Sequence, residues 1–276
     1  MNKLLSIVCT FWGITMITSC IDAAVVEVEP SQLGEAGTSY FDGTIYEYLE
    51  QGDELLKVTF DSLLYLLNYE DPASQKPLRF KELKECLQNE NGKYTLLAVP
   101  DSCFRHAIQR LNSFRYVNSL KDEEGDLSLR KILEYHKEIE REPINDDDSP
   151  VIDVFEYKQV LDTLVCRYAI SGFYDTEALT SQFASGQKHT LKSMFYEYNM
   201  CLSYNRKPAS GFVGVGVKDL TYYDMRNTLQ EDVWVYTKAI WTDIYTRNGV
   251  IHVLTPGHEF GYGQFIHYFK KYGHEE

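Results

Sequence analysis

The sequence lacks the short motifs that mark the common classes of enzyme active site. It contains no His-Glu-x-x-His, no Gly-x-Ser-x-Gly, no phosphate-binding P-loop and no Gly-x-Gly-x-x-Gly. The seven histidines are scattered, and His252, His258 and His267 lie near one another towards the C-terminus. We therefore predict that the protein is not an enzyme and uses neither a metal nor a cofactor.

Basic residues are scarce relative to acidic ones. The chain has 27 Lys and Arg against 41 Asp and Glu, which gives a formal net charge of −14. Nucleic-acid binding needs clustered cations that neutralise phosphates, so this composition argues against a nucleic-acid partner. It also argues against electrostatic adhesion to an anionic membrane. Hydrophobic residues make up 44% of the chain, which is enough for a large buried core.

Paired cysteine motifs are also missing, since none of the six cysteines occurs in a Cys-x-x-Cys or metal-ligand spacing. Cys9 and Cys20 belong to the N-terminal region. The other four are Cys86, Cys103, Cys166 and Cys201. Four thiols could pair in three ways in an oxidising compartment. The apolar sequence around Cys103 and Cys166 favours buried free thiols instead.

The N-terminus has the pattern of a secretory signal. Lys3 precedes an apolar stretch from Leu4 to Ile17, which is too short for a comfortable membrane span. The ending Ile-Thr-Ser-Cys resembles a bacterial lipobox, and this resemblance implies that Cys20 carries acyl chains that anchor the protein. Cleavage nearby with a free Cys20 is the alternative. We predict a signal peptide at 1–19, a flexible tether at 20–39 and a lipid-anchored protein of the cell envelope, in the outer membrane, with its surface exposure left open.

Hydrophobic periodicity predicts helices in the first part of the folded region. Thr-Ile-Tyr-Glu-Tyr-Leu-Glu-Gln is typical of a short helix or turn, and amphipathic helices are predicted over 60–67 and 80–87. A buried strand over 94–99 ends at Pro100, and Asp101 is placed to cap the helix that follows.

The second half of the chain differs in composition. Residues 117–160 are charge-dense, and we interpret them as a surface insertion with one helix around 127–139 and a solvated Asp-rich loop. The last third is rich in strand patterns. Asn248-Gly249 lies between two of these patterns and predicts a type I′ hairpin turn.

Three segments, in this order along the chain, resemble the fasciclin domain. They are YTLLAVPDSCF, LVCRYAISGFYDTEAL and TDIYTRNGVIHVL. The family's Asn-Gly-Val-Ile-His-Val strand matches residues 248–253 letter for letter, whereas Val99 is inserted into the family's Ala-Pro corner. The opening TIYEYLEQ is similar to fasciclin domains of Bacteroidetes lipoproteins. The resemblance covers about residues 40–269, and it implies a single α+β fasciclin-like domain over 40–276, with N-terminal helices packed against a β-rich wedge or sandwich.

The resemblance gives structural roles to eight positions. These are Pro100, Asp101, Phe104, Tyr168, Gly172, Asn248, Gly249 and His252. The alignment puts Arg167 and Tyr168 where the family has the Tyr-His pair that is associated with adhesion in some animal members, so that recognition mode is not carried over. A literal Tyr135-His136 lacks the apolar strand and glycine that should follow it. We expect Tyr168 to fill the imidazole position with its hydroxyl paired, and His252 to be a core histidine.

The resemblance implies a non-enzymatic adhesion or ligand-binding module for a protein or glycan at the cell surface. Amphipathic rings suit such contacts, and the candidate residues are Tyr222, Tyr223, Trp234 and Trp241. Half-buried packing in the core is the alternative, and an exposed cluster of three rings would distinguish the two. The alternative function is a structural or accessory subunit of an outer-membrane glycan-uptake complex, in which the 117–160 segment docks on a transporter.

Overall fold

The computed structural model describes residues 39–71, 77–118, 125–141, 151–182, 186–208, 210 and 216–273. The predicted signal peptide, the predicted tether up to residue 38 and the Asp-rich loop lie outside the described residues. Within the described ranges, no helix is long and apolar enough to cross a membrane.

Eight helices are present in these ranges. They are α1 (Ile45–Gln51), α2 (Asp61–Leu67), α3 (Phe80–Gln88), α4 (Asp101–Val117), α5 (Leu129–Glu134), α6 (Tyr157–Val165), α7 (Thr176–Gln182) and α8 (Gln264–Gly273). α2 and α3 occur where the periodicity predicts them, and α1 forms in the segment expected to be a short helix or turn. Thr44 begins α1 with a capping box, in which its side chain accepts the Glu47 N–H while the Glu47 carboxylate accepts the Thr44 N–H.

The described strands form one large sheet and one separate hairpin. They are β1 (Ser39–Tyr40), β2 (Tyr94–Ala98), β3 (His136–Arg141), β4 (Val151–Glu156), β5 (Ala169–Ser171), β6 (Lys188–Lys192), β7 (Asn199–Arg206), β8 (Lys218–Asp224), β9 (Val235–Thr246) and β10 (Gly249–Leu254). The large sheet has the order β5-β2-β10-β9-β8-β7-β6, with β1 paired to β9, and β3 pairs only with β4.

The large sheet is nearly a closed barrel. Its end strands β5 and β6 meet at a bridge between Ile170 and Ser193. Within this sheet β2 and β10 run parallel, with Tyr94 opposite Gly249, whereas the other neighbours in the strand order run antiparallel. The prediction of a mixed α+β fold, with helices first and a β-rich part built from the Tyr94 strand and the C-terminal strands, is confirmed. The barrel-like closure differs from the expected wedge or sandwich.

The core lies between the N-terminal helices and the centre of the sheet. Phe60 and Phe80 from the helices and Leu97 and Ile251 from β2 and β10 are buried in one hydrophobic cluster. Each fully buried side chain of this kind stabilises the fold by about 1.5–3 kcal/mol relative to its exposed state. This cluster fixes β10 and the segments on either side of it, which carry the candidate sites.

Asp101 has a different role from the predicted one. It is the first residue of α4, and α4 has no side-chain cap. Its carboxylate accepts hydrogen bonds from the N–H groups of Asp61 and Ser62, at 3.0 and 2.6 Å, and from the Thr59 hydroxyl. Burial raises the pKa of Asp101, but these hydrogen bonds lower it below its usual range. Asp101 therefore caps the N-terminus of α2.

The β9–β10 turn also differs from the prediction. Its two turn residues are Arg247 and Asn248, and neither Asn248 nor Gly249 has a positive φ, so the predicted type I′ turn is wrong. The buried Asn248 side chain accepts the Ile45 N–H at 2.9 Å and donates to a carbonyl oxygen of α3 at 2.8 Å. A Cβ on Gly249 would lie 2.1 Å from a carbonyl oxygen of β2. Glycine is therefore required here by the close approach of β2.

The segment 117–160 is only partly a surface insertion. The predicted helix over 127–139 ends at Glu134, and the β3–β4 hairpin follows it. Ile132 and Leu133 of α5 and Tyr157 at the start of α6 are buried in the core. Both flanks of the segment thus belong to the core, because their few apolar residues lie on faces that point inward. The many charged residues around them made the whole segment resemble a surface insertion in the sequence.

Candidate functional site

Tyr168 lies in the core, in the 3-10 turn that follows α6. Its hydroxyl accepts the Gly261 N–H at 2.8 Å and donates to His258 Nε2 at 2.7 Å. Its ring stacks on Phe260 and Tyr262, with centroid separations of 5.8 and 5.6 Å. The phenol therefore has both of its hydrogen bonds satisfied and leaves no surface for a ligand.

Arg167 is also buried, and its charge is compensated inside the protein. Its guanidinium forms an ion pair with Asp224 at 2.5 Å and lies 4.2 Å from the centroid of the Tyr198 ring. The backbone carbonyl of Arg167 accepts a hydrogen bond from the Tyr222 hydroxyl. Neither Arg167 nor Tyr168 is placed to contact a partner.

The buried histidines act as neutral hydrogen-bonding groups. Burial lowers the pKa of His258 to about 3, and burial also lowers the pKa of His252. His252 Nε2 donates to the Tyr174 carbonyl oxygen at 2.9 Å, while its Nδ1 accepts the Asp243 N–H at 3.2 Å. In the part of the chain that the structure describes, no three His, Cys, Asp or Glu side chains are grouped to hold a metal ion.

The other positions given structural roles lie in the core or at turns. Phe104 stacks on Phe260 with ring centroids 4.3 Å apart. Pro100 adopts an extended conformation directly before α4. Gly172 has φ +111°, and a Cβ there would lie 2.8 Å from the Tyr174 ring, so a larger residue would be strained.

The four remaining cysteines are free thiols: Cys86, Cys103, Cys166 and Cys201. Burial raises the pKa of Cys103 to about 12 and that of Cys201 to about 11. Thiols held in this protonated form are weak nucleophiles. Cys103, Cys166 and Cys201 are buried and therefore contribute to packing.

The four candidate rings fall into two groups. Tyr222 and Trp241 are buried, so they are packing residues and the interpretation of them as a binding platform is wrong. Tyr223 and Trp234 are half-buried and meet with ring centroids 6.0 Å apart. Successive residues of a strand face opposite sides of the sheet, which explains why Tyr222 and Tyr223 have different environments.

A third ring, which was not among the residues predicted from the sequence, completes a surface cluster. Tyr236 is 60% exposed, and its ring centroid lies 5.6 Å from that of its cross-strand neighbour Tyr223. The Lys188 ammonium lies 5.3 Å from the Tyr223 centroid and 5.1 Å from the Trp234 centroid. We call Tyr223, Trp234 and Tyr236 the aromatic patch. Its signal in the sequence is the two-residue spacing of Trp234 and Tyr236, which places both on one side of the extended chain where β9 begins.

A cleft of about 540 Å³ adjoins the aromatic patch, because Tyr236 also lines it. The cleft is formed by β8, β9, α4 and the loop between β10 and α8. Its charged lining residues are Arg110, Lys207, Lys218, Arg226 and Lys238, with Asp219 and Glu259. We call this cavity the basic cleft.

Comparisons with known proteins give no match by sequence and a weak similarity in structure. No family model matches the chain, and no curated protein matches it. A solved structure of a FAS1 domain pair from the insect cell adhesion molecule fasciclin I is similar at 10% identity and a TM-score of 0.36. The alignment covers 66% of this chain, and the chain spans 40% of that structure's length.

Proposed function

We propose that the protein is a non-enzymatic, fasciclin-like, lipid-anchored protein of the cell envelope. It acts as an adhesion or ligand-binding module for a glycan or protein at the cell surface. The observation that carries this proposal is the aromatic patch, because three adjacent rings with an exposed member are poorly explained by core packing. Flat amphipathic rings flanked by an ammonium group suit the apolar faces and hydroxyl groups of a sugar.

We expect the Trp234→Ala and Tyr236→Ala variants to lose ligand binding without losing the fold. Removing a central aromatic contact costs about 2 kcal/mol or more, which corresponds to roughly a 30-fold weaker affinity. Binding is measured on a glycan array and by adhesion of protein-coated beads to cells. The free energy of unfolding of the Tyr236→Ala variant should stay within about 0.5 kcal/mol of that of wild type, because the Tyr236 ring is mostly exposed.

Tyr65→Ala is the matched control, since Tyr65 is an exposed tyrosine of α2 outside the aromatic patch. It should bind as wild type does. Equal binding by all three variants would remove the aromatic patch from the proposal.

The lipid anchor has its own test. We expect the Cys20→Ala form to be recovered in the soluble fraction, because acyl chains contribute about 0.8 kcal/mol per buried methylene group to membrane binding. The measurement is detergent partitioning of cell membranes, with Cys86→Ala as the control. Membrane partitioning of Cys20→Ala at the wild-type level would contradict lipidation at this residue.

An accessory subunit of an outer-membrane glycan-uptake complex is the second candidate function. It is favoured by the β3–β4 hairpin, which forms a separate two-stranded sheet and exposes Ile152 and Val154. Exposed apolar side chains on such a hairpin are suited to docking on a transporter. Co-purification with a transporter from detergent-solubilised membranes would favour this function. The Ile152→Ser, Val154→Ser variant should then no longer co-purify with the transporter.

A further inference from the structure

The basic cleft has a charge opposite to that of the protein. The whole chain carries −14, yet five cationic and only two acidic side chains line this cavity. Its volume of about 540 Å³ lies in the range of roughly 300–1,000 Å³ that is typical of small-ligand sites. A local concentration of cations in an acidic protein attracts anionic ligands into the cleft while the remaining surface repels them.

Two cations of the basic cleft have no carboxylate partner in the described part of the chain. Arg110 pairs with Glu259, Lys238 with Asp219, and Lys218 with Asp243. Those three pairs leave two cations.

Lys207 and Arg226 are the two. Both are exposed, and among the described ion pairs neither appears with an acidic side chain. Arg226 is oriented by a hydrogen bond from Nη2 to the Tyr262 carbonyl oxygen at 3.4 Å. Its guanidinium retains donors for a carboxylate, to which arginine can bind through two parallel hydrogen bonds.

The residues around the cleft also retain hydrogen-bonding atoms that the ion pairs do not use. Thr237 Oγ1, Glu259 Oε1 and the Tyr262 hydroxyl are buried and have no hydrogen-bond partner within the described ranges. All three residues line the basic cleft. Buried polar groups in native proteins are normally paired, so these three atoms need partners, and either water or the hydroxyl groups of a ligand can supply them.

The basic cleft and the aromatic patch form one continuous surface. Tyr236 lines the cleft and lies 5.6 Å from Tyr223, whose ring meets that of Trp234. A ligand that spans both must combine sugar-like faces for the rings with negative charge for Lys207 and Arg226.

We propose that the ligand is an acidic glycan whose uronate carboxylates enter the basic cleft while neighbouring sugar rings stack on the aromatic patch. This inference rests on the proposed function and specifies its ligand class. Lys207 and Arg226 bind the carboxylates, and Trp234 and Tyr236 bind the sugar faces.

The test uses the full folded chain and two uronate oligosaccharides, polygalacturonate and alginate oligomers, each beside its carboxyl-reduced form. Carboxyl reduction keeps the sugar and removes the charge. We expect wild-type protein to bind at least one uronate oligomer at least tenfold more tightly than its reduced form. The Lys207→Gln, Arg226→Gln double variant should lose this preference, and its affinity should depend less on salt. Lys81→Gln, Arg105→Gln removes two exposed cations elsewhere and should behave as wild type.

Three results separate the possibilities. Loss of the charge preference in the cleft variant alone, with an unchanged melting temperature, supports the inference. Equal binding of the acidic and reduced forms, still abolished by Trp234→Ala, overturns the acidic ligand but leaves the glycan-binding function intact. No binding of either form overturns the uronate ligand, and no binding across the glycan array in addition overturns glycan binding itself.

Discussion

Replacing Tyr168 by alanine is expected to lower the free energy of unfolding by about 3–5 kcal/mol, as for other large buried side chains. The change removes a ring that stacks on Phe260 and Tyr262, and it leaves His258 Nε2 and the Gly261 N–H without their partner. Chemical denaturation measures the loss.

Tyr168→Phe separates packing from hydrogen bonding. It keeps the ring and removes only the hydroxyl, so it should cost about 1–3 kcal/mol, the penalty for buried groups left unpaired. Binding by this variant should match that of wild type, because Tyr168 is buried and its hydrogen-bond and ring partners do not include a residue of the aromatic patch. Unchanged stability together with lost binding in Tyr168→Ala would instead make this residue a ligand contact.

Replacing Asp224 by alanine is expected to cost a similar amount, about 3–5 kcal/mol, because it leaves the Arg167 charge buried without its counter-ion. Both side chains are almost fully enclosed, and the pair is 2.5 Å apart. The loss is measured by denaturation in urea, with Asp219→Ala as the control for a more exposed ion pair.

The double variant Arg167→Met, Asp224→Leu provides the sharper comparison. Removing both charges and filling the space with apolar atoms should destabilise the protein less than Asp224→Ala alone. If the double variant is instead less stable than Asp224→Ala, the Arg167–Asp224 ion pair stabilises the fold by more than the cost of burying its two charges.

Local patterns in the sequence predict local structure in this protein. The positions of α2 and α3 follow from the spacing of apolar residues along one helical face, and β2 follows from a short apolar run before Pro100. The alternative roles of Asp101 and Asn248 could not be predicted in this way. Each side chain bonds to backbone groups of helices elsewhere in the chain, and such pairing depends on the tertiary fold.

The candidate site could likewise be predicted only in part from local sequence patterns. Adjacent Tyr222 and Tyr223 must face opposite sides of their strand, but periodicity alone does not say which side is buried. Trp241 lies on the same strand as Tyr236, yet the first is buried and the second is exposed. The basic cleft could not be predicted from the sequence, because its cationic residues are far apart along the chain. They come from α4, from strands β8 and β9, and from the turns beside these strands.

The position of β10 has a consequence for how the chain is made. This interior strand lies between β2 and β9, although more than half of the sequence separates it from β2. While the chain emerges from a ribosome, the edge of β2 that pairs with β10 stays unpaired until β10 has been made. Leu96 and Leu97 of β2 remain accessible to solvent during this time. The nascent chain therefore stays open until late in synthesis. Until its last strand is made, the unpaired edge of β2 and these exposed apolar side chains make the unfinished chain prone to aggregation.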